Sequence, residues 1–259
     1  MNFLQQALEY IFTAANWGGP AGLTARILEH LQYTVIAVVA AAIIAIPAGM
    51  LVGHTGRGTF LVVTGVNALR ALPTLGVLLL GVLLWGLGLI PPTVALMLLG
   101  IPPLLSGTYA GIANVGPEIV DAARSMGMTE SRILLRVEAP NAMPLILGGL
   151  RTATLQVVAT ATVAAYASLG GLGRYLIDGI KVRQFHIALV GALLVTVLAL
   201  ILDAVLAFAV WLSIPGTGRL GRRLPQLRID DEAVIGTGLP GQSGYRDYGR
   251  DDSSLTVDG

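Results

Sequence analysis

Residues 116–140 read GPEIVDAARSMGMTESRILLRVEAP, a polar segment between two long apolar stretches. The segment opens with a helix start signal, in which Pro117 occupies the first turn and Glu118 lies near the positive helix end. Apolar side chains then recur at helical spacing, at Ile119, Ala122, Ala123 and Met126. The segment therefore predicts a short helix with one apolar face.

The second half of this segment predicts another helix. Gly127 is expected to end the first helix in a left-handed conformation, and Thr129 is suited to cap the next one. The second helix is expected to end before Pro140, because the residue before a proline disfavours helical geometry. Two short helices joined by a glycine turn form a unit shaped to dock against another protein.

On both sides of this segment the chain is too apolar for a water-soluble protein. Hydrophobic residues make up 54% and charged residues 12%, and this charged share is about half of the typical value. Residues 31–112 contain no Asp or Glu, and their only basic side chains apart from one histidine are Arg57 and Arg70. The chain is therefore predicted to be an all-α, polytopic membrane protein.

The apolar stretches divide best into five membrane spans. A bilayer core about 30 Å thick requires about 20 mostly apolar residues per helix. The predicted spans lie near residues 31–52, 60–83, 92–111, 143–167 and 187–213. Pro73 is expected to kink the second span, and a sixth span results if this break separates two helices.

Basic residues set the predicted orientation in the cytoplasmic (inner) membrane. The tail after the last span opens with a basic cluster of Arg219, Arg222, Arg223 and Arg228. Cytoplasmic ends are enriched in Lys and Arg, so residues 215–259 and the loop 113–142 are expected inside, and residues 1–30 form an extracytoplasmic segment. Arg174, Lys181 and Arg183 then fall in an external loop, against this rule. The polar tail is expected to be disordered.

Composition excludes several other functions. A net charge of +1 provides no basic field for nucleic acid, and the absence of Cys excludes disulfides and thiolate metal sites. The three histidines, His30, His54 and His186, lie far apart, and we predict neither a metal site nor catalytic residues. A secondary transporter would show an internal repeat with paired broken helices, and an intramembrane enzyme would need clustered His/Asp or Ser/His residues. Neither pattern is found in the sequence.

The spacing within residues 121–140 resembles the EAA signature of ABC importer permeases. That signature is Glu-Ala-Ala, three residues, Gly, nine residues, then Ile-x-Leu-Pro. The spacing is the same here, and the departures are Asp121 for Glu, Val137 for Ile and Ala139 for Leu. The residues of this chain that match the motif are Asp121, Ala122, Ala123, Gly127, Val137 and Pro140.

The resemblance covers roughly residues 30–215 and implies a type I ABC importer permease fold with a five-helix core. It also implies that the loop 113–142 forms a coupling helix, which sits in a groove of a nucleotide-binding subunit. The sequence contains no Gly-x-x-x-x-Gly-Lys-Ser/Thr phosphate loop. ATP and magnesium are therefore expected on a separate ATPase subunit, and no cofactor is expected on this chain. The other implied partners are an extracytoplasmic substrate-binding protein and a second permease, either a copy of this chain or a sister subunit.

Downstream motifs resemble the osmoprotectant branch of these permeases. They are Arg151-Thr152-Ala153-Thr154, Ala159-Thr160-Ala161-Thr162 and Gly170-Gly171-Leu172-Gly173. This branch imports glycine betaine, carnitine, choline or proline. The Gly-Gly-Leu-Gly element also occurs in other branches, so a methionine or amino-acid importer is the alternative.

Polar side chains at membrane depth are candidates for the transport pathway, because they are costly unless they face protein or water. These candidates are Arg70, Arg151 and Asp203. A helix-packing or subunit-interface role is the alternative for Asp203, and snorkelling to the membrane surface is the alternative for Arg151. Arg70 could instead satisfy carbonyls exposed by the Pro73 kink. The small residues along 148–170 suit close helix contact at a subunit interface.

Overall fold

The computed structural model describes residues 2–167 and 170–214, and all regular structure in these ranges is helical. The α-helices are α1 Phe3–Phe12, α2 Leu23–Thr55, α3 Thr59–Ala71, α4 Thr74–Trp85, α5 Ile90–Ala113, α6 Pro117–Ser125, α7 Glu130–Ile133, α8 Ala139–Thr160, α9 Gly173–Lys181 and α10 Phe185–Ser213. The predicted all-α class is confirmed. The predictions for the tail, residues 215–259, lie outside the described residues.

Four helical segments are long and apolar enough to cross a membrane: Leu23–Thr55, Ile90–Ala113, Glu130–Ala167 and Phe185–Ser213. A fifth span is formed if the bent pair α3–α4 is counted as one crossing. Helix α2, which carries the first span, begins at Leu23, eight residues before the predicted start of that span, so the predicted N-terminal segment 1–30 includes the first turns of this helix. The first turns of α2 lie outside its apolar part and contain polar residues. Two of these residues stabilise each other, because the Arg26 guanidinium lies 2.9 Å from the Glu29 carboxylate.

The helix break at Pro73 follows the sequence prediction. The axes of residues 64–71 and 74–85 differ by 79°, and Leu72 between them is extended, with φ −70° and ψ 126°. Helices α3 and α4 are 13 and 12 residues long, or about 20 and 18 Å. Neither arm could cross an apolar layer of about 30 Å alone. A sixth span is therefore not formed at this break.

The expected end of the second loop helix before Pro140 is wrong. Helix α7 continues through a π-helical turn, Leu134–Glu138, directly into α8, where Pro140 occupies the first turn. A proline ring within a regular helix clashes with the carbonyl four residues earlier. The wider π turn accommodates the ring and lets the helix continue. The predicted loop 113–142 is thus a shorter connection followed by the beginning of a membrane helix.

Helix α5 lies between α2 and α8 and forms the centre of the described bundle. The face of α2 that contacts α5 carries small residues at every fourth position: Ala37, Ala41, Ala45, Gly49 and Gly53. A Cβ atom at Gly49 would lie 2.8 Å from the Thr108 Cβ, so the two helices approach too closely for a larger side chain there. Small residues at helix contacts provide the close packing that stabilises helices in membranes.

The small residues of 148–170 pack mainly within this chain, which corrects their predicted place at a subunit interface. Gly149 lies against Gly107 of α5, where an added Cβ on Gly107 would be 2.9 Å from the Gly149 Cα. Ala153, Ala161 and Ala164 are buried inside the described bundle. Gly148 and Ala159 remain partly or fully exposed.

The bundle has two distinct ends. The loop end, defined by residues 53–58 and 114–129, brings His54 of α2 to Glu138 just before α8. The opposite end carries α1 and α9, where the rings of Tyr10 and Tyr175 meet edge to face at 6.3 Å. Burial raises the pKa of the Tyr175 phenol to about 12. The phenol therefore stays protonated at neutral pH and donates to the Ala21 carbonyl at 3.0 Å.

Candidate functional site

Helix α6 at the loop end has both predicted boundaries. Pro117 occupies its first turn, and Gly127 follows its last turn with φ +79°. The Gly127 N–H donates to the Arg124 carbonyl at 3.0 Å, and the Met128 N–H donates to the Ala123 carbonyl at 3.2 Å. This pair of bonds is the Schellman arrangement, which requires a residue in the left-handed conformation. Gly127 therefore sets the direction in which the chain leaves α6.

One face of α6 carries apolar side chains that no part of the described chain covers. Met126 is 75% exposed, Ile119 is 47% exposed, and Ala122 between them is also exposed. Ala123 points inward and is buried. The motif residue Asp121 is exposed beside this face. The arrangement presents a small apolar surface, framed by charge, at the tip of the loop end.

A chain of ionic contacts joins α6 to the membrane helices. Arg124 contacts the Asp121 carboxylate at 2.9 Å and makes a forked pair with Glu130, with distances of 2.8 and 3.1 Å. The hydrogen bond to Glu130 and its negative charge raise the pKa of the Arg124 guanidinium. Glu130 also lies 3.3 Å from His54 Nε2. Helix α6 is therefore connected through polar side-chain contacts to the end of α2.

The buried member of this network is Glu138. Its Oε2 lies 2.7 Å from His54 Nδ1, and the Glu138 residue is only 5% exposed. Both residues were missed as site residues in the sequence, because His54 and Glu138 are 84 positions apart. The available signal was that Glu138 is an acid within the Val137–Pro140 part of the motif, at a membrane exit on the same predicted side as His54. This pair fixes the start of α8 against the end of α2.

The other motif residues are distributed along this connection. Val137 is half-buried in the π turn, and Pro140 is exposed in the first turn of α8. They do not lie on α6 with Asp121, Ala122 and Ala123, but on the continuous helix that leads from the loop into the bundle. The spaced motif thus covers α6 together with the continuous helix that follows it.

The Gly170–Gly173 element lies against the beginning of α2 at the opposite end of the bundle. The Gly171 N–H donates to the Glu29 carboxylate at 2.7 Å, and Gly171 has φ +74°. Side chains could not be added at Gly170, which meets Arg26 and Glu29, or at Gly173, which meets the Thr162 carbonyl. The glycines therefore permit close contact between α2 and the segment after α8.

Two of the three candidate pathway residues neutralise each other. Arg151 of α8 and Asp203 of α10 form a forked ion pair, with distances of 2.6 and 2.8 Å. Two parallel hydrogen bonds of this kind are strong and directional. The pair joins the last two membrane helices, which agrees with the helix-packing role for Asp203 and not with a snorkelling Arg151.

We expect that replacing either Arg151 or Asp203 alone by Leu lowers the amount of folded permease in the membrane severalfold, because one charge at membrane depth loses its partner. The double variant Arg151→Leu/Asp203→Leu should recover both the membrane level and solute uptake, because it removes both charges. Quantitative immunoblotting of membranes and uptake assays measure this. A double variant with a normal level but no uptake would assign the pair to the pathway.

Arg70, in contrast, has no ion-pair or hydrogen-bond partner among residues 2–167 and 170–214. It lies in the last turn of α3, before the Pro73 break, and is exposed. It lines an open cavity of about 380 Å³ between α3, α5 and α8. The expected contact between Arg70 and the carbonyls at the kink is not formed.

The exposed face of α8 continues from this cavity to the loop end. Polar residues recur along it at Asn141, Thr152 and Gln156, with Leu145 and Gly148 between them. A second cavity, of about 240 Å³, contains Asn114 and Asn141 and shares Leu145 with the first. Polar groups at membrane depth are rarely exposed to lipid. This face therefore provides a candidate lining for a solute pathway.

Comparisons with known proteins agree with these features. Residues 45–210 match the family described as "Binding-protein-dependent transport system inner membrane component". The chain is 37% identical over 179 residues to the glycine betaine/carnitine/choline transport system permease protein OpuCB of Bacillus subtilis (strain 168), covering 69% of this chain and 82% of that protein. It is 35% identical over 182 residues to the osmoprotectant import permease protein OsmY of Salmonella typhimurium, covering 70% and 77% of the two chains.

Solved structures share the same fold. An inward-facing structure of the MetNI methionine ABC transporter matches with a TM-score of 0.64 and 18% identity, covering 74% of this chain and 96% of that chain. The crystal structure of an amino acid ABC transporter with histidines matches with a TM-score of 0.60 and 20% identity, covering 81% and 97%. At these identities the likeness concerns the fold alone, and it confirms the predicted ABC importer permease architecture.

Proposed function

Because the chain belongs to the family of binding-protein-dependent transport system inner membrane components, we propose that it is the transmembrane subunit of an ATP-driven importer for osmoprotectants. The transported solutes are of the glycine betaine, carnitine and choline type. The observation that carries this proposal is the match to osmoprotectant permeases at 35–37% identity across most of the membrane bundle.

The features of the loop end indicate which partner subunit binds at which end of the bundle. The exposed apolar face of α6 fits a groove on a separate ATPase subunit, which binds ATP and magnesium. The loop end faces the cytoplasm, and so does the tail that follows α10. The opposite end, with α1 and α9, receives the solute from an extracytoplasmic binding protein. A second permease subunit, either a copy or a sister chain, completes the pathway.

An ATP-driven importer requires a rigid connection between the helix that docks on the ATPase, here α6, and the membrane bundle. Movement of the ATPase subunits reaches α6 first, and the contacts of Arg124, Glu130 and His54 lead from α6 to α2. The continuous helix from Glu130 to Ala167 leads from the same point into the bundle. Asp121, Ala122, Ala123, Gly127, Val137 and Pro140 act as the coupling residues in this scheme.

The test is uptake of radiolabelled solutes by cells that lack the gene and by the same cells with the gene restored. The panel contains glycine betaine, carnitine, choline and proline, with methionine and histidine as the competing branches, at normal and high salt. We expect restored uptake of at least one osmoprotectant and no change for methionine or histidine. Unchanged uptake of every osmoprotectant would reject the proposed substrates, and a change for methionine alone would favour the methionine branch.

A further inference from the structure

We propose that Arg70 binds the carboxylate of zwitterionic solutes inside the pathway, so that the permease itself distinguishes them from quaternary amines that lack a carboxylate. This inference rests on the proposed osmoprotectant function. It assigns a solute contact to the cavity beside the α3–α4 break, in addition to the selection made by a binding protein.

The first support is the missing counter-ion of Arg70. Residues 31–112 contain no acid, and neither does α8, so the helices around the cavity offer no carboxylate. Among the described residues, the acid that lies at membrane depth is Asp203. Both of its carboxylate oxygens already accept hydrogen bonds from Arg151. Arg70 lies eleven residues beyond the start of α3, about 16 Å along the helix, within the bent pair α3–α4 that counts as one membrane span. An arginine within a membrane span requires a partner or water.

The second support is the size and chemistry of the cavity. Its volume of about 380 Å³ falls in the range of small-molecule sites, about 300–1,000 Å³. Its lining combines the guanidinium with two hydroxyl groups and small residues: Arg70, Ser106, Gly107, Gly148, Gly149 and Thr152. The Ser106 hydroxyl donates to the Pro102 carbonyl at 2.7 Å, and the Thr152 hydroxyl donates to the Gly148 carbonyl at 3.0 Å. Both hydroxyl oxygens can still accept hydrogen bonds, but neither adds a positive charge.

Among these groups, only the guanidinium carries a charge that a solute could complement. A guanidinium presents a rigid fork of N–H donors that matches a carboxylate with two parallel hydrogen bonds. Aromatic side chains, which commonly hold quaternary ammonium groups, do not line the cavity. Recognition would therefore occur at the carboxylate end of glycine betaine or carnitine. Choline, with a hydroxyl in place of the carboxylate, would gain nothing from Arg70.

The third support is that the cavity continues toward the loop end. Leu145 borders both this cavity and the second one, which contains Asn114 and Asn141. A solute released from Arg70 would thus meet further neutral polar groups along the same face of α8. Contacts between the solute and these uncharged groups are weaker than the contact with Arg70, so the solute can pass along the pathway without being held at one point.

The experiment uses the complete transporter, permease with its ATPase and binding protein, reconstituted in lipid vesicles. Uptake of radiolabelled glycine betaine and choline is measured for the wild type, Arg70→Gln, Arg70→Lys and the matched control Arg57→Gln. Arg57 is an exposed arginine in the turn between α2 and α3, outside the cavity. Binding-protein-stimulated ATP hydrolysis is recorded for each variant, because it reports assembly and coupling separately from solute passage.

We expect Arg70→Gln to lower glycine betaine uptake at least about tenfold, since a hydrogen-bonded charge contact is lost. Choline uptake and stimulated ATP hydrolysis should change less than about threefold, Arg70→Lys should be intermediate, and Arg57→Gln should match the wild type. If the wild type carries glycine betaine but not choline, the expected result is lost uptake with ATP hydrolysis retained.

Equal loss of both solutes together with lost ATP hydrolysis would overturn the inference and assign Arg70 to contact with a second permease subunit. Unchanged glycine betaine uptake in Arg70→Gln would also overturn it, although the osmoprotectant function would stand. A wild type that carries choline alone would reject the carboxylate contact only. A wild type that carries neither solute, in a complex that hydrolyses ATP, would reject the proposed function and the inference together.

Discussion

Replacing Gly127 by Val is expected to abolish uptake while leaving the permease in the membrane. Gly127 has φ +79°, and a Cβ atom there would meet no neighbouring atom within 4 Å, so the expected effect arises from the backbone conformation. The left-handed conformation costs an ordinary residue about 1–2 kcal/mol, and a β-branched residue is among the least tolerant. The chain would leave α6 in another direction, and the docking face would lose its position.

The measurement for Gly127→Val is co-purification of the ATPase subunit together with solute uptake. Gly127→Asn is the conservative variant, because asparagine tolerates the left-handed conformation, and it should retain much of both. Gly18→Val is the matched control, since Gly18 also has open space around it but an extended backbone at φ −88° and ψ 164°. Wild-type uptake and a normally bound ATPase in Gly127→Val would show that α6 is not the coupling element.

Replacing His54 by Ala is expected to destabilise the permease by about 1–3 kcal/mol, the usual effect of leaving a buried hydrogen-bonding group without its partner. The Glu138 side chain is 6% exposed and would keep its carboxylate without the contact at 2.7 Å. Both the thermal midpoint of the purified permease and the amount of bound ATPase should fall. The loss of bound ATPase follows because Glu138 lies directly before α8, next to the network that holds α6.

The double variant His54→Leu/Glu138→Leu distinguishes two causes: the Glu138 carboxyl group that is left without a partner, and the lost contact between the end of α2 and the start of α8. It should recover part of the stability, because no buried carboxyl group is left without its hydrogen-bond partner, but less of the ATPase binding, because the link through Glu130 is also removed. His186→Ala is the matched control at the opposite end of the bundle, with no hydrogen bond or ion pair among the described residues. Equal effects of His54→Ala and His186→Ala would exclude a special role for the buried pair.

Most of the fold could be predicted from hydropathy because the bilayer requires long apolar helices with internally satisfied backbones. The last span, predicted near residues 187–213, is α10, Phe185–Ser213. The errors occur where a polar group is stabilised by a distant contact. Glu29 near the start of α2 has a local partner in Arg26, but its carboxylate also accepts the Gly171 N–H, and this pairing across 142 positions has no local signature.

The spacing that resembles the EAA signature was recognisable because it is local. Gly127 and Pro117 act through the backbone of their own helix, and so their roles could be predicted from position alone. The continuation of the helix through Pro140 could not be predicted, because the proline signal favours a break and the π turn that accommodates it forms in the folded helix.

The sequence by itself determined where the long apolar helices lie, where α6 begins and ends, and where α3 breaks, since hydropathy, proline and glycine act over a few neighbouring residues. The tertiary structure alone decided the partners of the charged groups. Arg151 and Asp203 are 52 positions apart and are joined only when α8 packs on α10. The same packing leaves Arg70 beside a cavity without a counter-ion among the described residues, because charge pairing depends on distances in space and not on order along the chain.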